Sequence, residues 1–275
     1  MVLNPWLLLG PLGMMVVGIL AVVLWKSRYK ISLKFFIFGG VLWVAAIIPK
    51  IIMDGTVTPP FYLWCVSRFG VFWGVVLLGA YVGLRTGFFE CGSAYLGFAW
   101  LLRRRVPQSG GTVVSRSVSY MEAVAIGVGF GAFEAILLAL PSLAQMAYIF
   151  LDPSLLSLLP PDQALLLEEQ LGQPTWVALA AVWERVFAIL AHIFATVLVY
   201  LAVAHRRPIL LGGAAAYKSL LDAPIPIFQT MLASSPYYIV ITEAFVGIMG
   251  LIGLLGMLNM GKITSKGGNV IRNKQ

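Results

Sequence analysis

Residues 175–204 read Thr-Trp-Val-Ala-Leu-Ala-Ala-Val-Trp-Glu184-Arg185-Val-Phe-Ala-Ile-Leu-Ala-His192-Ile-Phe-Ala-Thr-Val-Leu-Val-Tyr-Leu-Ala-Val-Ala204, and the run stops at His205-Arg206-Arg207. A hydrocarbon core of about 30 Å is crossed by about 20 residues at 1.5 Å each, so this run is long enough to span a bilayer. It reads as a helix, because a helix satisfies its own backbone hydrogen bonds where no water is available. Glu184, Arg185 and His192 stand inside the run. A charge at the centre of a spanning helix costs about 2.5 to 3.5 kcal/mol on insertion scales, so each needs a partner or a wet cavity.

Similar apolar runs recur on both sides of this one, at 7–25, 33–52, 62–84, 87–102, 119–140, 208–228 and 236–259. With 60% hydrophobic residues, 11% charged residues and a mean hydropathy of +0.92, the chain has too few polar side chains to cover a soluble domain. The fold class is therefore all-α: a polytopic transmembrane bundle of about 7–8 helices. Residues 1–260 form the expected bundle, and 261–275 a polar, flexible cytoplasmic tail. The first run lacks a basic flank and is followed by further spans, so it reads as a retained helix.

The net charge of +8 comes from short clusters beside the helices: Lys26/Arg28/Lys30/Lys34, Arg103/Arg104/Arg105/Arg116, His205/Arg206/Arg207 and Lys262/Lys266/Arg272/Lys274. This is the positive-inside pattern, which makes membrane lipids the expected partners, with anionic headgroups at the basic clusters, and gives no reason to invoke nucleic acid. The loop at 141–173 carries Asp152, Asp162, Glu168 and Glu169 and no Lys or Arg, which puts it outside. A plasma-membrane protein with a cytoplasmic C-terminus follows. Cys65 and Cys91 sit in or beside apolar runs and read as small hydrophobes.

Placing the first basic cluster and Arg103 to Arg105 on one side requires residues 53–102 to cross an odd number of times, yet they look like two helices. One is expected to be broken or re-entrant, with the break at the glycine-rich stretch Gly79 to Gly92; an ordinary hairpin with a misplaced loop is the alternative.

The residues able to carry chemistry are Glu90, Glu134, Glu184, His192, Lys218 and Asp222. Arg68, Arg85, Glu122 and Arg185 are set aside as helix-end or counter-ion residues. Gly127, Gly131 and Glu134 fall at i, i+4 and i+7, on one stripe that a neighbouring helix can approach closely. Glu184 and His192 are eight residues apart and share nearly one helix face. Lys218 and Asp222 are at i, i+4 and are expected to pair. No nucleotide, dinucleotide, serine-hydrolase or zinc-protease signature is present, and no cofactor is expected. A metal is left open, since Glu90, Glu134, Glu184, Asp222 and His192 have the chemistry to hold a divalent ion if they converge.

Several of these residues fall on a recognisable pattern. Phe89-Glu90-Cys-Gly-Ser-Ala-Tyr95, Gly127-Val-Gly-Phe-Gly-Ala-Phe-Glu134, Glu184-Arg-Val-Phe-Ala-Ile-Leu-Ala-His192 and Lys218-Ser-Leu-Leu-Asp222 resemble, in order, four motifs of the YhfC family. This is a group of intramembrane peptidases related to the CAAX-prenyl-protease and bacteriocin-processing enzymes. The resemblance covers about residues 60–230 and implies a helical membrane peptidase fold. In it the first motif's Glu and the second motif's His activate water, while the last motif's His and Asn or Asp stabilise the oxyanion. The chain keeps Glu90 but carries Cys91 at the second Glu, Ala94 at the Arg, Phe130 at the second-motif His and Lys218 at the last-motif His. These departures favour a degenerate member acting as a membrane-embedded binding or accessory subunit for a transmembrane segment or a larger membrane complex. Two other readings stand beside it: an active glutamic-type peptidase using Glu90 with Glu134 or His192, and a small proton-coupled transporter using Glu184 and His192.

Overall fold

The computed structural model describes residues 4–103, 105–107, 113–115, 118–233, 235 and 237–272, and side chains outside 104–117 and 262–272. Among the described residues the chain forms α1 (Leu9–Tyr29), α2 (Leu33–Thr56), α3 (Thr58–Arg103), α4 (Tyr120–Leu151), α5 (Pro161–Leu171), α6 (Val177–Ala204), α7 (Pro208–Asp222), α8 (Pro224–Met231) and α9 (Tyr238–Arg272). Two three-residue strands, β1 (Arg105–Pro107) and β2 (Val113–Ser115), pair antiparallel with Val106 opposite Val114. Six of the helices, α1, α2, α3, α4, α6 and α9, are long and apolar enough to cross a membrane. The all-α, multi-pass expectation holds.

Several boundaries differ from the sequence reading, each for a local reason. The break expected at Gly79 to Gly92 lies instead at Gly70, whose φ of 77° and ψ of 169° belong to a backbone region open essentially to glycine alone. There the chain reverses: the Phe61 and Tyr81 rings meet tilted at 42° with centroids 5.0 Å apart, and Thr58 Oγ1 lies 3.4 Å from Tyr81 Oη. The arm before Gly70, Thr58 to Phe69, is too short to cross a bilayer at 1.5 Å per residue. Residues 71–103 then run back as one uninterrupted helix, so the stretch 53–102 holds one helix long enough to span, in keeping with the odd number of crossings that the charge pattern required.

The loop expected at 141–173 is largely helical, because α4 continues through Pro141 to Leu151 and is followed by a 3-10 segment, Pro153–Leu158, and α5. The helix expected over 208–228 is split at Ala223, where Pro224 and Pro226 deny the backbone its donors. Helix α9 continues from Tyr238 to Arg272.

The basic and acidic segments separate to opposite ends. At one end Tyr200 Oη donates to the Val118 carbonyl at 2.6 Å and Tyr120 Oη to the Met257 carbonyl at 2.7 Å, beside Arg103 and Arg206. At the other, Asn4 donates from its backbone to the Leu171 carbonyl at 2.8 Å and from Nδ2 to that of Gln173 at 2.9 Å.

Helices in lipid gain little by hiding apolar surface from one another, so close backbone approach must hold them. The α4–α6 seam shows how: a Cβ placed on Gly127 would lie 2.7 Å from the Ile193 Cα, and one on Gly131 2.9 Å from the Ile189 Cα. The glycine-rich stretch of α3 has the same use, since a Cβ on Gly83 or Gly87 would run into the carbonyl of Ser219 or Ala215 on α7. Phe36, Phe98, Phe130, Val124 and Val197, all fully buried, fill the space among α2, α3, α4 and α6. These seams bring four charged helices within side-chain reach.

Candidate functional site

The stripe that lets α4 meet α6 points Glu134 at His192 and Arg185, and the α3–α7 seam points Glu90 at Lys218. Glu90 lies at the centre and is 5% exposed. Its Oε1 accepts from Lys50 Nζ of α2 at 2.8 Å, and its Oε2 lies 3.0 Å from Lys218 Nζ and 3.8 Å from His192 Nδ1. The Lys218 contact is an ion pair without hydrogen-bond alignment, so Glu90 Oε2 has no hydrogen-bond partner. The other imidazole nitrogen, His192 Nε2, lies 2.8 Å from Glu134 Oε2. That same oxygen accepts from Trp43 Nε1 at 2.8 Å, while Glu134 Oε1 takes Arg185 Nη1 at 2.7 Å. Arg185 Nη2 pairs with Glu184 Oε1. The Phe130 ring lies against the His192 ring at 5.0 Å and 32°.

All six residues singled out from the sequence, Glu90, Glu134, Glu184, His192, Lys218 and Asp222, line one cavity of about 410 Å³. Its remaining wall is apolar except for Lys50, Arg185 and Gln229, and Ile225, Pro226 and Gln229 of α8 form one side. A smaller cavity of about 10 Å³ adjoins it, bounded by Glu90, Phe130, His192, Thr196 and Lys218. That is the room of one water molecule. A larger cavity of about 870 Å³ at the basic end, beside Arg103 and Arg206, contains none of the six.

Three parts of the sequence reading change. Lys218 does not pair with Asp222: its ammonium goes to Glu90, since the close α3–α7 seam offers a buried carboxylate, while Asp222, at the end of α7, faces the cavity without an ion-pair partner among the described residues. Arg185, set aside as a counter-ion, is one, but it links Glu134 and Glu184 at the heart of the site. Arg85 does not snorkel: it is 8% exposed and pairs with Asp54 at the end of α2. The sequence reading passed over Lys50 and Trp43 altogether. The signal for Lys50 was a lysine following Pro49 inside an apolar run.

A comparison with protein families matches residues 13–246 to the family described as YhfC intramembrane metalloprotease. The chain belongs to the YhfC family. The match extends the resemblance seen in the motifs to nearly the whole bundle, from α1 to the first quarter of α9. No curated protein and no solved structure matches the chain.

The YhfC description implies a metal, and the residues present do not fit one. A protein-held divalent ion of the zinc type needs three or four donors with lone pairs free to point at it. Among the described residues no group of three or more His, Cys, Asp and Glu side chains has that arrangement. Glu134 is taken by Arg185, Trp43 and His192, and Glu90 has two ammonium groups within 3.0 Å of its oxygens, where a metal's charge would have to sit. Phe130, lying against His192, brings no donor at all.

Proposed function

We propose that this chain is a catalytically silent member of the YhfC family whose charged cavity serves as a membrane-embedded binding or accessory site, with a transmembrane segment as its partner. The observation that carries the reading is Glu90 held between Lys50 at 2.8 Å and Lys218 at 3.0 Å. Water activation by a carboxylate needs a free lone pair, a partner that orients the water, and preorganised donors at the developing oxyanion. Here the carboxylate is engaged by cations, and the residue at the expected orienting position is Phe130. What the cavity retains is suited to binding: about 410 Å³ of space, apolar walls, a row of fixed charges, and an edge formed by α8, a helix of eight residues with none buried. The gathering of basic residues at one end supports a plasma-membrane orientation with the C-terminus in the cytoplasm.

The test is cleavage and capture together. Purified protein in bilayers is incubated with a library of transmembrane peptides, and a photo-crosslinker at Gln229 reports occupancy. The expected result is crosslinking without cleavage. Cleavage that Glu90→Gln abolishes overturns the reading.

One observation favours the active-peptidase alternative. Glu90 Oε2 lacks a hydrogen-bond partner and borders the one-water cavity together with His192 and Lys218. In that reading Glu90 is the base, His192 orients the water and Lys218 donates to the oxyanion, and Lys218→Met would lower kcat more than it raises KM.

A further inference from the structure

We infer that the ammonium groups of Lys50 and Lys218 occupy the place that a metal's charge would take beside Glu90, so that the centre of this YhfC-family cavity is closed by the chain's own cations and is metal-independent. The inference concerns charge and ligation, and it holds whether or not the cavity cleaves peptides.

The cavity wall carries four carboxylates, Glu90, Glu134, Glu184 and Asp222. Facing them are Lys50, Arg185, Lys218 and His192, the last with one nitrogen 2.8 Å from Glu134 Oε2 and the other 3.8 Å from Glu90 Oε2. Three fixed cations, Lys50, Arg185 and Lys218, thus stand among the four carboxylates. A buried carboxylate cannot stay ionised in an apolar surround without such compensation.

A divalent ion added at Glu90 would meet two obstacles of different kind. The first is electrostatic: Lys50 Nζ and Lys218 Nζ both lie within 3.0 Å of the oxygens that the ion would bind, and in a low-dielectric interior like charges that close repel strongly. The second is ligation. His192 has only Nδ1 to offer while Nε2 stays on Glu134, and neither Phe130 nor Lys218 in its charged form has a lone pair, so Glu90 and one imidazole nitrogen fall short of the three donors a site needs. Both positions, 130 and 218, are those at which the family motifs carry histidine. The lysine at 218 therefore puts a cation where the motif carries an imidazole and, with Lys50, supplies positive charge beside Glu90.

The experiment measures metal, not activity. Wild-type protein and Glu90→Gln are equilibrated with Co²⁺ or Zn²⁺ in detergent, desalted and assayed for metal content and, for Co²⁺, visible absorption. Wild type is expected to hold no stoichiometric metal that Glu90→Gln removes, and its thermal midpoint is expected to be indifferent to chelator. Stoichiometric, Glu90-dependent metal in the wild type overturns the inference. The Phe130→His/Lys218→His double variant, which trades the cation for imidazole donors, is expected to gain Co²⁺ affinity by at least about tenfold, about 1.4 kcal/mol. If it folds with wild-type circular dichroism and gains nothing, Lys218 is not what displaced the metal. Should it fail to fold, Lys50→Met/Lys218→Met is measured in its place, with the same gain expected and the same absence of gain counting against the inference.

Discussion

Replacing Lys218 with Met removes one of the two ammonium groups that neutralise Glu90 and keeps much of the apolar stem. Lys218 is 3% exposed and Glu90 5%, so water screens neither. At the observed 3.0 Å and an effective dielectric of about 20, the pair's Coulomb energy is about 5 to 6 kcal/mol. Lys50 remains at 2.8 Å and absorbs part of the loss. The expected destabilisation is about 3 kcal/mol, the low end of the range for removing one partner of a buried pair. The assay is reversible unfolding in mixed micelles with increasing dodecyl sulfate, followed by circular dichroism. Adding Glu90→Gln to Lys218→Met should cost less than the sum of the two single changes, because the under-compensated carboxylate is gone, although Lys50 then loses its own partner. A single variant that costs under about 0.5 kcal/mol, or a double variant whose effects simply add, would refute the reasoning that Lys218 is there to neutralise Glu90.

Three further outcomes follow from the packing and the hydrogen bonds. Gly70→Ala forces a side chain onto a φ of 77° at the reversal in α3 and should cost about 1 to 3 kcal/mol in the same unfolding assay. Gly131→Val drives a branched side chain toward the Ile189 Cα, 2.9 Å from the ideal Cβ, and should destabilise by about 1 to 3 kcal/mol while pushing α4 off α6; a crosslink between cysteines on the two helices should slow accordingly. Trp43→Phe keeps the ring volume and deletes the donor to Glu134 Oε2, so it should cost about 1 to 2 kcal/mol and leave the oligomeric state and helix content unchanged.

Much of this architecture can be read from the sequence. Runs such as 175–204 require helices in lipid, and the glycine spacing at 127 and 131 requires a close neighbour for α4. The six candidate residues proved to line one cavity because each is an ionisable group in an apolar run, which is tolerated only where such groups meet. What the sequence hides is which helix meets which. The i, i+4 spacing of Lys218 and Asp222 is a local signal, and it lost to a buried carboxylate brought in by the α3–α7 seam. Lys50 escaped notice because the run 33–52 put it two residues from a helix end, whereas α2 continues to Thr56 and sets Lys50 level with Glu90. The reversal belonged to Gly70 and not to the richer glycine cluster downstream, because four glycines on a helix can serve packing as readily as bending, and only a backbone angle distinguishes the two.

The most direct test of the central claim, that the cation-filled cluster binds rather than cuts, is a comparison of wild type with Glu90→Gln on transmembrane peptides in bilayers, read by mass spectrometry. The account predicts identical spectra, with intact peptide in both. Fragments present with wild type and absent with Glu90→Gln, from variants of equal folding stability, would contradict it.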